Sequence, residues 1–126
     1  MLSILIPSFN NSKYLPIAVA SALSLKNLGE IIIIDDNSID DTKVVVKELQ
    51  RHSDKIRYFK NKKNIGVGFS FIKAIKLSKF SYILMCNSDD FFIPNNIDKL
   101  LEFLMKHKLD LAYGKMAIQK EGKVYK

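Results

Sequence analysis

A run of four isoleucines, Ile31-Ile32-Ile33-Ile34 behind Glu30, constrains this chain more than any other feature. Branching at Cβ favours extended backbone, and successive side chains of a strand point to opposite faces. Four apolar residues in a row therefore demand cover on both sides. Residues 30–34 predict an interior strand of a mainly parallel sheet with helices above and below, a three-layer α/β/α architecture. The remainder of the chain alternates to match. Residues 2–6, 56–59 and 82–86 read as three more strands. A helix is expected from a Ser12 cap to about residue 25, with Leu15, Val19, Ala22 and Leu23 on one face, Pro16 in its first turn and Gly29 ending the connection. Ser38-x-x-Asp41 has the form of a weak capping box, opening a helix that carries Val44, Val45 and Leu49. A third helix is expected from Gly66 to about Ser78, packing through Phe71, Ile72, Ile75 and Leu77. A fourth begins at Pro94, with Ile97, Leu100, Leu101, Leu104 and Met105 at helical spacing. Residues 109–113 and 123–125 read as later, antiparallel strands with a turn at Glu121-Gly122.

At 126 residues the chain suits one domain but is short for a complete enzyme that binds two substrates. No apolar run approaches the roughly 20 residues that cross a bilayer. The opening residues lack a basic leader, and the lone Cys86 forms no internal disulfide, so a cytoplasmic location is expected. Twenty Lys and Arg against thirteen Asp and Glu give a charge of +7, which favours anionic partners. The excess is scattered Lys, densest at Lys60, Lys62 and Lys63. It reads either as a solvated face or as a patch that meets an acidic membrane surface or steers an acceptor.

In open α/β sheets, ligands bind beyond the carboxyl ends of the strands. The polar clusters of this chain all fall there: Pro7-Ser8-Phe9-Asn10, Asp35-Asp36-Asn37-Ser38, Asn64-Ile65-Gly66 and Asn87-Ser88-Asp89-Asp90. Adjacent carboxylates repel one another unless a cation or donors compensate. Asp89-Asp90 suits a hard divalent ion, Mg²⁺ or Mn²⁺, that takes one or two carboxylates plus diphosphate oxygens. Asp35-Asp36 suits hydrogen bonds from a base N–H and a ribose hydroxyl. Each has a plainer reading: Asp35 to Ser38 as a turn with a cap, Asp89-Asp90 as a loop before the Pro94 helix, Phe9 as core. Gly66-Val67-Gly68 lacks the third glycine of a dinucleotide fingerprint.

Taken in order, the stretches 3–10, 30–42, Asn64-Ile65-Gly66 and Ser88-Asp89-Asp90 resemble glycosyltransferase family 2, the inverting family of Rossmann-like GT-A fold, over roughly residues 2–115. The resemblance implies that Phe9 stacks on the nucleotide base, that the backbone at Pro7 and Ser8 lines the same pocket, and that Asp36 reads a base N–H, usually of uracil, with Asp35 its neighbour. It implies that Asp89 and Asp90 contact the ribose and hold the metal, Asp90 foremost. Asn87 stands where the fuller motif has its first Asp. An Arg-Asn pair is replaced around Phe71 and Ile72, and Lys73 substitutes only by pointing to the rim, which is not expected. Only 36 residues follow Asp90. Asp98, Glu102, Asp110 and Glu121 among them match no family position, so the resemblance implies a general base beyond Lys126. The chain is then the nucleotide-sugar-binding part of the domain, cut short at its C-terminal end.

The implied activity is that of a hexosyltransferase-type enzyme, moving a sugar from a nucleotide-diphosphate sugar, expected to be a UDP-sugar, to a hydroxyl acceptor with inversion, in envelope polysaccharide or glycolipid synthesis. A saccharide or lipid-linked acceptor, peripheral contact with the inner face of a membrane, and a homodimer through apolar surface fit this reading; nucleic acid does not. The alternative is a non-catalytic nucleotide- or Mg-binding α/β module. A receiver-like domain would need an Asp at Phe59-Lys60-Asn61, and a sugar nucleotidyltransferase a Gly-rich basic loop at 7–12. Neither is present.

Overall fold

The isoleucine run lies at the centre of a parallel sheet, within β2 (Leu28–Asp35), and all four side chains are fully buried. In the computed structural model, which describes residues 1–114, 116–120 and 123–125, β2 is flanked by β1 (Leu2–Ser8) and β3 (Ile56–Lys60), and β1 pairs on its other side with β4 (Tyr82–Met85). The order is β3-β2-β1-β4, parallel throughout. Ile32 and Ile34 pack with Leu5 and with Ala74, Phe71 and Leu77 of α3 (Val67–Leu77). Ile31 and Ile33 point the other way, toward the face where α1 (Leu15–Leu23) and α2 (Thr42–His52) pack on the sheet. The three layers expected from the sequence are thus present within the unit Met1–Phe92.

Several local expectations are corrected. Ser12 does not cap α1; its N–H donates to Asp40 Oδ2 at 2.9 Å, while the Asn11 carbonyl accepts from Tyr14 N and Leu15 N. The Ser38/Asp41 box does not form either. Asp40 caps α2 by accepting from the N–H and hydroxyl of Thr42, and Ser38 Oγ accepts from Asn10 N. The face of α2 that packs is Thr42 and Val46, with Val44 exposed. On α3 it is Ser70 and Ala74 that are fully buried, with Ile72 and Ile75 at the surface. Gly29 ends nothing. It lies inside β2, where a Cβ would meet the Phe80 ring at 2.2 Å, so its smallness lets an aromatic ring rest on the strand.

The second unit, Ile93–Lys126, contains α4 (Pro94–Lys106) and an antiparallel pair of β5 (Ile118–Lys120) with β6 (Lys123–Tyr125). Pro94 starts α4 as expected. Lys108, at φ 52°, closes the helix with Lys108 N donating to Met105 O and Leu109 N to Leu104 O, the double bond of a Schellman end. Residues 109–113 are not a strand: among the described residues no strand pairs with them, and extended backbone without a ladder leaves its N–H and C=O groups to water. The turn expected at Glu121-Gly122 lies outside the described residues.

Candidate functional site

With β2 and β3 on one side of β1 and β4 on the other, the order in which the parallel strands are added reverses at β1, and a crevice opens beyond the carboxyl ends of β1 and β4. A cleft of about 360 Å³ lies there, lined by Pro7, Ser8, Phe9 and Asn11 after β1, Asp36 after β2, Asn64, Gly66 and Val67 before α3, and Asn87, Ser88 and Asp89 after β4. Register explains how β4 contributes. Met85 is level with Leu5, so the chain leaves the ladder three residues below Ser8, and Cys86 to Asp90 climb the rim as a loop. Cys86 N still donates to Leu5 O, and Asn11 Nδ2 fastens the loop by donating to Ser88 Oγ at 2.9 Å.

The loops after β1 and β2 are laced together. Asn10 and Asn37 both adopt left-handed backbone, φ 51° and 68°, which asparagine tolerates better than most residues. Asn10 N donates to Ser38 Oγ, and Ile39 N donates back to Asn10 Oδ1, each at 2.9 Å. This twist leaves Phe9 47% exposed at the cleft, which removes the reading of Phe9 as core. Ser8 Oγ is buried and, among the described residues, has no hydrogen-bond partner, though its residue lines the cleft.

Asp36 is only 3% exposed yet lines the cleft. Its Oδ1 accepts from Asn61 Nδ2 at 2.9 Å and Ile65 N at 2.8 Å, and its Oδ2 from Gly66 N at 2.8 Å. Burial alone would raise its pKa. The Ile65 N–H, the Asn61 amide, the Gly66 N–H and the Ser70 hydroxyl outweigh burial and hold it below the ordinary aspartate value, so it is an ionised acceptor. Gly66, at φ 87° and ψ 154°, occupies a region open essentially to glycine alone, and this turn delivers two successive N–H groups to one carboxylate.

Asp35 is placed elsewhere. Fully buried and absent from the cleft lining, it accepts from Ser38 N at 2.7 Å and from the Tyr58 hydroxyl, with Lys60 Nζ at 3.8 Å. Adjacent residues of a strand face opposite sides, so only one of Asp35 and Asp36 can look into the cleft. Of the acidic pair after β4, Asp89 lines the cleft and Asp90 does not; Asp90 Oδ2 accepts from Asn87 Nδ2 at 3.1 Å. Asn87 therefore supplies an N–H that an aspartate in its place could not. Asp36 and Asp89 approach from strands that are not neighbours, because β1 stands between them. Sequence reasoning missed Asn61, whose position directly after β3 was the available signal; Lys73, not expected to point to the rim, does not line the cleft, and its Nζ donates to Asn61 Oδ1 at 2.6 Å.

A profile described as Glycosyl transferase family 2 matches residues 3–125. The chain belongs to glycosyl transferase family 2. Its relatives in that family include a chondroitin synthase of Escherichia coli, 35% identical over 108 residues, 84% of this chain and 16% of that protein. Another is a GalNAc(5)-diNAcBac-PP-undecaprenol beta-1,3-glucosyltransferase of Campylobacter jejuni, 34% identical over 129 residues, 99% of this chain and 41% of that protein. The family fold is also that of S. aureus TarS 1-349 in complex with UDP-GlcNAc, which superposes with a TM-score of 0.76 at 22% identity, covering 85% of this chain and 32% of that one. The chain spans well under half the length of these relatives. The fold is thus GT-A, Rossmann-like, as the sequence implied.

Proposed function

We propose that this family 2 chain is the donor-binding part of a glycosyltransferase, and that the cleft beyond β1 and β4 holds a nucleoside diphosphate sugar, with uracil as the base. The observation that carries this is the convergence on one cleft of a half-exposed aromatic face (Phe9), an ionised acceptor (Asp36), and a carboxylate on the far wall (Asp89). Asp36 is ionised and acceptor-only at the cleft, the kind of group that a base N–H can meet. Phe9 gives the base a stacking surface, and the unpartnered Ser8 hydroxyl is a further group for a polar ligand to satisfy. Asp35 acts from behind, holding Ser38 and hence the loop that carries Asn10.

The donor set after β4 fits a hard divalent cation, Mg²⁺ or Mn²⁺. Asp89 and Asp90 supply oxygen ligands of the kind such ions share with diphosphate oxygens and water. Among the described residues no three His, Cys, Asp or Glu side chains gather as a ready-made metal cage, so the protein would supply only part of the shell. When bound, the ion supplies charge neutralisation for a departing diphosphate. The residues of this chain bind and orient: Phe9 and Asp36 fix the base, and Asp89 and Asp90 fix the diphosphate end, so that the anomeric carbon is presented for displacement with inversion by an acceptor hydroxyl. The names of the two relatives favour a saccharide or lipid-linked acceptor and a role in polysaccharide or glycolipid synthesis.

Thermal unfolding tests the reading. UDP with Mn²⁺ at about 100 times its Kd should stabilise the native state by about 2.7 kcal/mol, a rise of several degrees in Tm. Asp36→Ala and Asp90→Ala should each abolish most of that rise with the circular dichroism spectrum unchanged. An equal rise in Asp36→Ala and the parent chain would rule out the base-reading role.

A further inference from the structure

The group that aims Asp36 is not on its own loop. Asn61, 6% exposed, follows β3 directly, and its N–H continues the ladder by donating to Asp35 O at 2.8 Å. Its side-chain nitrogen donates to Asp36 Oδ1 at 2.9 Å and to Ser70 Oγ at 3.2 Å, and its side-chain oxygen accepts from Lys73 Nζ at 2.6 Å. An asparagine amide is nearly the same shape either way round, so its orientation is set by what it faces. Here an ammonium, which can only donate, faces one end and a carboxylate that can only accept faces the other. Both demand the same orientation. Among the described residues no carboxylate pairs with Lys73. Its charge is spent on the amide, and the amide carries that polarity inward to the cleft.

We propose that Lys73, acting through the Asn61 amide, holds Asp36 as an acceptor-only group at the cleft and thereby sets the preference for a base that presents an N–H, such as uracil, over one that presents a lone pair there, such as cytosine. This rests on the reading of the cleft as the donor nucleotide site. Lys73 and Asn61 are positioning residues: neither lines the cleft. Without the ammonium the buried Asn61 oxygen loses its donor, only Asp36 and Ser70 still orient the amide, and its hold on the carboxylate weakens. The carboxylate then relaxes by rotating or by taking a proton, and a protonated Asp36 donates where it had accepted.

The test is calorimetric titration of UDP and of CDP, each with Mn²⁺, into the parent chain and into Lys73→Met, Lys73→Arg and Asn61→Asp. The parent should favour UDP over CDP by about ten- to a hundredfold, the worth of a hydrogen bond to a charged group. Lys73→Met should lose most of that ratio through weaker UDP binding with CDP little changed, and Lys73→Arg should restore it. Asn61→Asp, which places a second carboxylate against Asp36 while keeping the Lys73 partner, should shift the ratio toward CDP, and it serves if Lys73→Met does not fold. Lys73→Met weakening UDP and CDP equally would overturn the proposal, since the lysine would then act only as a general positive charge or a brace. An unchanged ratio in both Lys73→Met and Asn61→Asp would overturn it too. A parent chain that binds neither nucleotide would overturn the donor-site reading itself, and this inference with it.

Discussion

Individual residues at the rim are held for reasons that sequence type alone only partly conveys. Gly66 has open space around its Cα, so a methyl group there would strike nothing; the cost of Gly66→Ala is the backbone conformation alone, about 1–3 kcal/mol. Urea denaturation should register that loss. If the chain relaxes instead, the Gly66 N–H leaves Asp36 and nucleotide binding weakens in step. Cys86 shows the opposite kind of control. Burial and then the charges of Asp90 and Asp89 push its thiol up to about 12, so at pH 8 almost none is thiolate. Iodoacetamide should modify it orders of magnitude more slowly than an exposed peptide thiol, and only unfolding should bring the rate up. Rapid alkylation of the folded chain would contradict this environment. Asp36 was legible as a rim carboxylate, since Asp-Asp at a strand end is a visible signal. Its three N–H donors were not, because they come from residues 25 to 30 positions away.

At the scale of elements, the end of the sheet opposite the cleft is tied by a buried network. Glu30 accepts from Ser3 Oγ at 2.7 Å, Arg57 at 2.6 Å and Lys79 N at 2.6 Å, and Arg57 also donates to Leu77 O at 2.8 Å. β1, β2, β3 and the end of α3 are thereby joined at one point. Burial, which would raise the Glu30 pKa, is outweighed by the Ser3, Lys79 and Arg57 hydrogen bonds and the Arg57 charge, so it lies below the ordinary value of 4.5. Because the folded state binds this proton more weakly than the unfolded one, the network's contribution is complete above pH 4.5 and is lost as the pH falls through the lower folded value. Arg57→Met, which leaves Glu30 buried without its cation, should cost about 3–5 kcal/mol at neutral pH, and its acid unfolding should begin at higher pH than in the parent. Asp40, held at about 2 because hydrogen bonds from Thr42 and Ser12 outweigh its burial, adds to the same acid loss between about pH 4 and 2. β1 and β2 were readable from their apolar runs because burial on both faces leaves no alternative, while β3 and β4, only partly buried, show as shorter runs. Helix starts were misread at Ser12 and Ser38: no side chain caps α1, and Asp40 takes both the Ser12 N–H and the Thr42 N–H at the start of α2, partners that lie on two loops. Gly29 was misread because its reason for being small, the Phe80 ring, is 51 positions downstream. Gly29→Ala should cost about 1–3 kcal/mol by displacing that ring.

For the molecule as a whole, the strand order places the cleft. Only when β4 pairs on the far side of β1 do Phe9, Asp36 and Asp89 come to share one crevice, and no local pattern in residues 82–85 announces which neighbour that strand takes. The sequence supplied the polar ends of four strands, and topology decided which of them meet. Asp35 fell behind the wall and Asp90 beside it for the same reason: adjacent positions diverge once the backbone fixes a direction. Backbone amide NMR during titration of UDP and Mg²⁺ into the isotopically labelled chain tests the location of donor binding directly. The expected result is saturable shifts concentrated at Ser8, Phe9, Asp36, Ile65, Gly66 and residues 87–90, with the Glu30–Arg57 end unmoved. Shifts that saturate elsewhere on the sheet, leaving Phe9 and Gly66 unaffected, would contradict a donor nucleotide seated between β1 and β4.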